Sequence, residues 1–284
     1  VDIRKTLDMP ESSLLKPETG NFKSIKPQSE ITLLEIQNFW NHKFMPEESI
    51  NISPHSLGEI RKDFILSEKQ DEISINMEYE KNGNKYYLDD KSRIIKCKAK
   101  PQYTEDGVRN IKEQIEAGGN ERRNDDDGGH IVGRVLGGAE GLENLVPMRR
   151  TINRGDYKKM ENEISHGLKE GKEVELEVQL QYKDDSGRPS KIMANYTIED
   201  KVVQVKFENE PNSLDLLNDA QDKISEEDYR ALKKELDDMY GEGSTMTITS
   251  IKTEYDDMGS PYKVTIGVLE EETCEKSYKV YEAR

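Results

Sequence analysis

Asn124-Asp125-Asp126-Asp127-Gly128-Gly129-His130, then Asn144-Leu145-Val146-Pro147, then Asn153-Arg154-Gly155-Asp156-Tyr157-Lys158-Lys159-Met160-Glu161 are the runs on which the reading of this chain turns. A histidine delivered by a glycine pair offers a general base. The asparagine and glutamate downstream offer a neutral metal ligand and a second carboxylate. Hydrolysis of a phosphodiester needs those parts: a base to deprotonate water, and a hard cation to take up charge on the phosphate and the leaving oxygen. Taken singly the runs are weaker signals, since Asp-Gly and Gly-Gly are ordinary turn dipeptides and a chain this acidic carries runs such as Asp125-Asp126-Asp127 by chance.

With the Gly137-Gly138 pair, these runs resemble the DNA/RNA non-specific endonucleases of the ββα-metal class. Within that class they are similar to the toxin nucleases at the C-termini of polymorphic and type VII secreted proteins, whose signature looks like DDGGH, NLVP, then Asn, Tyr and Glu on a helix. The resemblance extends over residues 78–210, its later part carried by Gly171, Arg188-Pro189 and Phe207-Glu208-Asn209. It implies that His130 activates water, that Asn153 is the direct ligand of a magnesium ion (manganese being the alternative), and that Glu161 completes the metal site. Asp127, Arg134 and Tyr157 join His130 in the implied catalytic group. Eight helical residues separate Asn153 from Glu161 by about 12 Å of rise and about 80° of rotation, so the two share a face but not one tight coordination shell. Glu161 is therefore expected to hold water of the ion's shell, which suits magnesium because that ion sheds its waters reluctantly. One departure stands out: the secreted-nuclease archetype of the family has arginine where this chain has Gly128, and another cation must steady the phosphate.

Candidates for that cation are near. Between Leu145 and Met160 stand Arg149, Arg150, Arg154, Lys158 and Lys159 against the single acid Asp156, while Arg122, Arg123 and Arg134 flank the histidine. Arg122, Arg123, Arg149, Arg150, Arg154 and Lys158 are the expected substrate-binding cations. This local excess answers the objection that 42 basic and 58 acidic residues leave the chain at −16, whereas phosphate binding calls for positive surface. Screening confines exposed charges to about 8–10 Å, so acids elsewhere need not spoil a basic cleft.

A mean hydropathy of −0.92 and 33% hydrophobic residues over 284 positions indicate modest cores and much solvated surface. No apolar stretch approaches the ~20 residues of a membrane span, and the sequence as it stands shows no basic segment leading into an apolar run, so neither a transmembrane helix nor a secretory signal peptide is expected. Cys97 and Cys274 fit neither a disulfide framework nor a zinc site and read as free thiols. His42, His55 and His166 lack a ligand pattern nearby.

Val1 to about Gln28 reads as an extended or disordered lead-in, and Ser29 caps an expected helix over Glu30–Phe44 with an Ile31, Leu34, Phe39, Trp40 stripe. Alternation through Ile73, Ile75, Met77 and Tyr79, around Tyr86–Leu88 and over Ile94–Cys97 predicts strands, with Asn82-Gly83 as a hairpin turn. Helical spacing follows from Thr104 to Ala117. Ile131-Val132 is expected to be the strand end that presents His130, and Gly137-Gly138 to open a loop returning to a helix at Asn153. Val174 to Tyr182 alternates strictly, and Ile192–Ile198 and Val202–Phe207 complete an antiparallel sheet. The fold class is α+β: a ββα-metal core on an antiparallel sheet. From Pro211 to Arg284 there are 18 acids and 9 bases, a net of −9, which marks an acidic module. It opens with a capping box at Ser225 and Asp228 and ends in a meander at Met246–Ile251, Val264–Leu269 and Tyr278–Tyr281. Its plain reading is a solvated accessory domain; the idea that it mimics nucleic acid and covers the basic cleft rests on charge alone.

The expected organisation is thus a lead-in over 1–77, a nuclease domain over 78–210 and an acidic module over 211–284. The expected function is a magnesium-dependent endonuclease acting on DNA, with RNA as an alternative substrate. The resemblance further implies the toxin end of a larger effector, exported by a type VII-like route into a target-cell cytoplasm and neutralised by a cognate immunity protein. Two other readings stand beside it: a more selective HNH-type nuclease, for which the further metal-binding histidines or acids are missing, and a non-enzymatic, immunity-like acidic binding module with a degenerate site.

Overall fold

A computed structural model describes residues 23–24, 77–105, 111–239 and 245–284. The lead-in apart from Lys23–Ser24, the expected helix over Glu30–Phe44, the alternation at Ile73 and Ile75, and His42 and His55 lie outside the described residues.

Strands β1 (Lys23–Ser24), β2 (Met77–Lys81), β3 (Asn84–Leu88) and β4 (Ile94–Ala99) pair antiparallel in chain order. The β2–β3 turn is the expected Asn82-Gly83 pair, at φ 51° and 72°, the left-handed values a two-residue hairpin turn requires. The chain then leaves the sheet for a long excursion. It forms α1 (Ile111–Glu116), β5 (Asp126–His130), β6 (Leu145–Arg149), a π turn at Ile152–Asp156 and α2 (Tyr157–Lys169). It returns as β7 (Val174–Tyr182) directly beside β4, and β8 (Pro189–Ile198) and β9 (Lys201–Glu208) follow. After α3 (Leu217–Gln221) and α4 (Glu226–Met239), β10 (Met246–Tyr255), β11 (Pro261–Glu270) and β12 (Lys276–Glu282) extend the same sheet. Among the described residues the sheet order is β1-β2-β3-β4-β7-β8-β9-β10-β11-β12, with β5 and β6 paired only to each other. Thus the run that decided the sequence reading is an insertion between two neighbouring strands.

Alternation explains how the excursion is held. Cys97, Val178, Ala194 and Val205 stand opposite one another across β4, β7, β8 and β9, and Leu180, Ile192 and Phe207 form a second row. All are buried on one face, as period-two alternation demands. Onto that face α2 lays Tyr157, Met160 and Ile164, spaced three and four residues apart. Burying each such side chain contributes about 1.5–3 kcal/mol. Ile251, which stands opposite Lys206 and so out of phase with Phe207, falls on the other face, where the second core with Leu216, Leu232, Leu236 and Ile266 packs. Ser225 Oγ accepts from the Asp228 amide at 3.1 Å, forming the expected cap on α4. Among the described residues no helix is long and apolar enough to cross a membrane, and both cysteines are free thiols.

Three local expectations are corrected. Thr104 is not helical but is drawn to the segment after the histidine, its amide bonding to Val135 O at 3.1 Å; the described helix α1 spans Ile111–Glu116, and residues 106–110 lie outside the described residues. The strand that presents His130 is Asp126–His130 itself, and Ile131 and Val132 follow it. The loop expected from Gly137 to Asn153 contains β6, hidden from sequence by Pro147, which has no amide hydrogen and is tolerated in this two-stranded ribbon opposite Gly128.

The ribbon is fixed to the sheet by a buried ion pair. Arg188 Nε and Nη2 each lie 2.8 Å from the Asp126 carboxylate, with both side chains almost fully buried. Nearby, Asn209 donates through Nδ2 to Pro147 O and Pro189 O and accepts from the Arg149 amide, joining β6 to β8. Removing one partner of such a pair strands a buried charge. Arg188→Met is therefore expected to lower the unfolding free energy in a denaturant titration by about 3–5 kcal/mol; a loss of about 1 kcal/mol or less, typical of surface pairs, would contradict the assigned role.

Candidate active site

The face of the helix that carries Asn153, Tyr157 and Glu161 runs along the chain as it leaves β5, touching it at every second residue. A Cβ on Gly129 would lie 3.1 Å from Asn153 Oδ1, and a Cβ on Gly133 would lie within van der Waals overlap of the Glu161 carboxylate. Midway between them Tyr157 Oη donates to Ile131 O at 2.6 Å. Residues 153, 157 and 161 thus meet residues 129, 131 and 133 in order, with His130 between the first two contacts. A side chain at position 129 would also meet Met148 of β6, and one at 133 would displace the Glu161 carboxylate, so both glycines let these groups lie close. The π turn contributes as well: its i→i+5 bonds advance the chain through a smaller angle per residue than an α-helix does, which brings Asn153 toward the line of Tyr157 and Glu161.

His130 is half-buried at the end of β5, opposite Leu145. Asn153 Nδ2 donates to Asp127 Oδ2 at 3.1 Å, which fixes the amide with Oδ1 turned toward Gly129. Asp127 also takes two bonds from Arg154, at 2.7 and 2.9 Å, with Arg150 at 3.6 Å. Burial pushes the Asp127 carboxyl up, but the Arg154 and Asn153 hydrogen bonds outweigh it and hold the group below the usual aspartate value. Glu161 is the opposite case. Burial raises its carboxyl above the usual value, against the pull of Lys158, 3.1 Å away, and of Arg134. Tyr157 is fully buried, and its phenol is pushed far up by desolvation. It is a fixed donor to the carbonyl that follows His130.

Among the described residues no three His, Cys, Asp or Glu side chains gather as a metal cage. The oxygens available at the helix face, Asn153 Oδ1 and the desolvated Glu161 carboxylate, could hold a small hard cation that keeps most of its waters.

The expected cations divide into two groups. Arg150, Arg154 and Lys158 are exposed on the site face, paired to Asp127 and Glu161. Arg149 turns inward instead: it is 2% exposed and bonded to Glu271 and Glu210 O, so it presents no surface to a phosphate. Arg122 donates to the carbonyls of Gln114, Ile115 and Asp126, and Arg123 pairs with Glu210 at 2.7 Å. Gly128 has no room for the family's arginine, since its Cβ would collide with the Gln114 backbone. Sequence reasoning gave no role to Asn144, the fully buried asparagine of the NLVP run. It accepts from the Val132 amide and Tyr86 Oη and donates to Val132 O and Ala139 O, pinning the loop after the histidine with all its capacity used. Its only signal was its place in the motif.

Residues 75–200 match the model of the DNA/RNA non-specific endonuclease family. That stretch is a domain of this family. Over 133 residues the chain is 35% identical to the type VII secretion system protein EssD of Staphylococcus aureus strain USA300, a match covering 44% of this chain and 22% of that protein. Over 67 residues it is 37% identical to the probable deoxyribonuclease RhsA of Dickeya dadantii, covering 24% of this chain and 5% of that protein. The chain thus spans less than a quarter of the length of these curated relatives. The endonuclease domain read from the DDGGH and NLVP runs is borne out by this match.

The raised Glu161 carboxyl has a consequence for stability. Its folded pKa exceeds its unfolded one, so the folded state binds the proton more tightly and stability falls as pH rises through that interval. The ionised group is then a net cost at neutral pH. Without added metal, Glu161→Gln is expected to melt above the parent at about pH 7, the difference shrinking below the ordinary glutamate value of about 4.3. Scanning calorimetry across this range checks it; a variant melting below the parent at neutral pH would contradict the sign.

Proposed function

We propose that the chain is a magnesium-dependent endonuclease, with manganese as the alternative ion, that hydrolyses phosphodiester bonds in DNA and secondarily in RNA. The observation that carries this reading is the register of Asn153, Tyr157 and Glu161 along residues 129–133 beside His130, inside a stretch that belongs to an endonuclease family. His130 takes the proton from water as the water oxygen attacks phosphorus, and the bond from phosphorus to the leaving oxygen breaks with its electron pair staying on that oxygen. A divalent cation, when bound, supplies positive charge against the phosphate and the leaving group. Asn153 Oδ1 would hold it directly and Glu161 through its waters. Asp127 keeps the Asn153 amide turned, Tyr157 positions the backbone after His130, and Arg134 offsets the Glu161 charge. Arg150, Arg154 and Lys158 meet the phosphates in exchange for their carboxylate partners, while Arg122, Arg123 and Arg149 act behind them through structural bonds.

We assign residues 78–210 as the nuclease domain, with a lead-in over 1–77 and an acidic module over 211–284. The relatives, a type VII secretion system protein and a probable deoxyribonuclease, support DNA as substrate and export by a type VII-like route. With the family resemblance they support a toxin delivered to a target-cell cytoplasm and held in check by a cognate immunity protein.

Purified protein is expected to nick and linearise supercoiled plasmid with magnesium and to stop when chelator is added. His130→Ala should lower the rate about 100-fold to 10,000-fold with the melting temperature unchanged. Asn153→Ala should raise the magnesium concentration for half-maximal rate more than Glu161→Ala does, because a direct ligand outweighs one that holds waters. An undiminished rate in His130→Ala, or an equal magnesium requirement in parent and Asn153→Ala, would contradict these roles.

A further inference from the structure

The family match ends at residue 200, yet the segment that carries Asn153 is gripped at both ends by side chains from far beyond it. At its start, Arg149 Nη2 lies 2.5 Å from Glu271 Oε2, and the other Glu271 oxygen accepts from Thr247 Oγ1 and from the Asn212 amide. At its end, Asp156 is 6% exposed; Lys276 Nζ lies 2.6 Å from one carboxylate oxygen and Tyr278 Oη 2.6 Å from the other. Lys159, two residues beyond Tyr157, stacks its ammonium 3.4 Å from the centre of the Tyr278 ring. Glu271 directly follows β11 and Lys276 opens β12, so one hairpin delivers both clamps. Their polarity is opposite: the hairpin offers an acid to Arg149 and a cation to Asp156. Between the clamps lie Arg150, Asn153 and Arg154, and the whole of the π turn ends at Asp156.

A π turn is rare and short because it packs less well than an α-helix, and it persists where its surroundings hold it. Inside the matched stretch Asn153 Nδ2 donates to Asp127 Oδ2, and Ile152, which opens the turn, is buried in the main core. The two buried clamps fix the backbone at either end of the turn, and hence where the Asn153 amide points. Partners that orient a ligand without touching the ion typically change metal affinity about 10-fold to 100-fold.

We propose that the β11–β12 hairpin is the positioning element of the cation site, Glu271 on one side and Lys276 with Tyr278 on the other holding the π turn so that Asn153 Oδ1 faces Gly129. This rests on the reading of Asn153 as the ligand. The acidic C-terminal region is, on this account, a working part of the nuclease and not an appendage to it.

The test uses the full chain and reads manganese binding directly, by the loss of the free-ion paramagnetic resonance signal, alongside plasmid cleavage at saturating manganese. The Lys276→Met, Tyr278→Phe double variant is expected to bind manganese about 10-fold or more weakly, with the cleavage rate at saturating ion restored to near that of the parent. Lys201→Met breaks a comparable pairing, of β9 with Glu163 of α2 and Glu254 of β10, that touches neither end of the π turn, and should leave manganese affinity unchanged. If the double variant does not fold, Tyr278→Phe alone, which removes one hydroxyl, should shift affinity in the same direction. Asn153→Ala separates the two levels. If it weakens manganese binding and the hairpin variants do not, the hairpin inference is overturned and the ligand stands. If the parent and Asn153→Ala bind alike, the ligand assignment fails and the inference falls with it.

Discussion

A single hydrogen bond, from the buried Tyr157 hydroxyl to the carbonyl of Ile131, sets the register on which the site depends. A phenol with no exposure to water needs an acceptor, and the one it meets belongs to the residue after His130. Once that bond is made, Asn153 and Glu161 have one place each to go, beside Gly129 and Gly133. Slipping the helix by one residue would rotate its face by about 100° and take all three contacts apart. The burial that makes Tyr157 unavailable to substrate is what makes it an effective spacer.

The register is held in turn by polar groups buried with their partners. Asn144 closes the loop after the histidine, Asp126 and Arg188 tie the ribbon to β8, and Asn209 stands in for a missing strand between β6 and β8. Fully satisfied networks of this kind specify geometry, because every alternative arrangement leaves a desolvated group unpaired. The sheet beneath supplies the apolar platform on which Val146 and Met148 of the ribbon and Tyr157, Met160 and Ile164 of α2 are buried. The acidity of the chain is likewise not uniform in effect: Glu163 of α2 and Glu254 of β10 are matched to Lys201 and Lys252, while the exposed Arg150 and Arg154 pair with Asp127.

Much of this was legible in the sequence where the signal is local. The strict alternation of Val174 to Tyr182 gave β7, Asn82-Gly83 gave the β2–β3 turn, and the DDGGH and NLVP runs gave the endonuclease domain. What stayed hidden depends on distant partners. Arg149 and Arg150 are adjacent and chemically alike, yet one is buried because Glu271 and Asn209 wait for it and the other is exposed. Pro147 masked β6, because proline argues against a strand unless its missing hydrogen faces away from the ladder. The π turn left no trace except Gly155, and the pairing of Asp156 with Lys276 joins residues whose separation no periodicity spans. The charge of the C-terminal region was visible, while its use as a brace was not.

The central claim is that Asn153, held in this register, is where the cation binds. It is tested most directly by a crystal grown or soaked with manganese and recorded for its anomalous signal. The account predicts a peak at inner-sphere distance, about 2.0–2.2 Å, from Asn153 Oδ1, on the side of the helix that faces His130, with Glu161 reaching it through water. A peak seated on the Asp125-Asp126-Asp127 run, or none near Asn153 at saturating manganese, would contradict it.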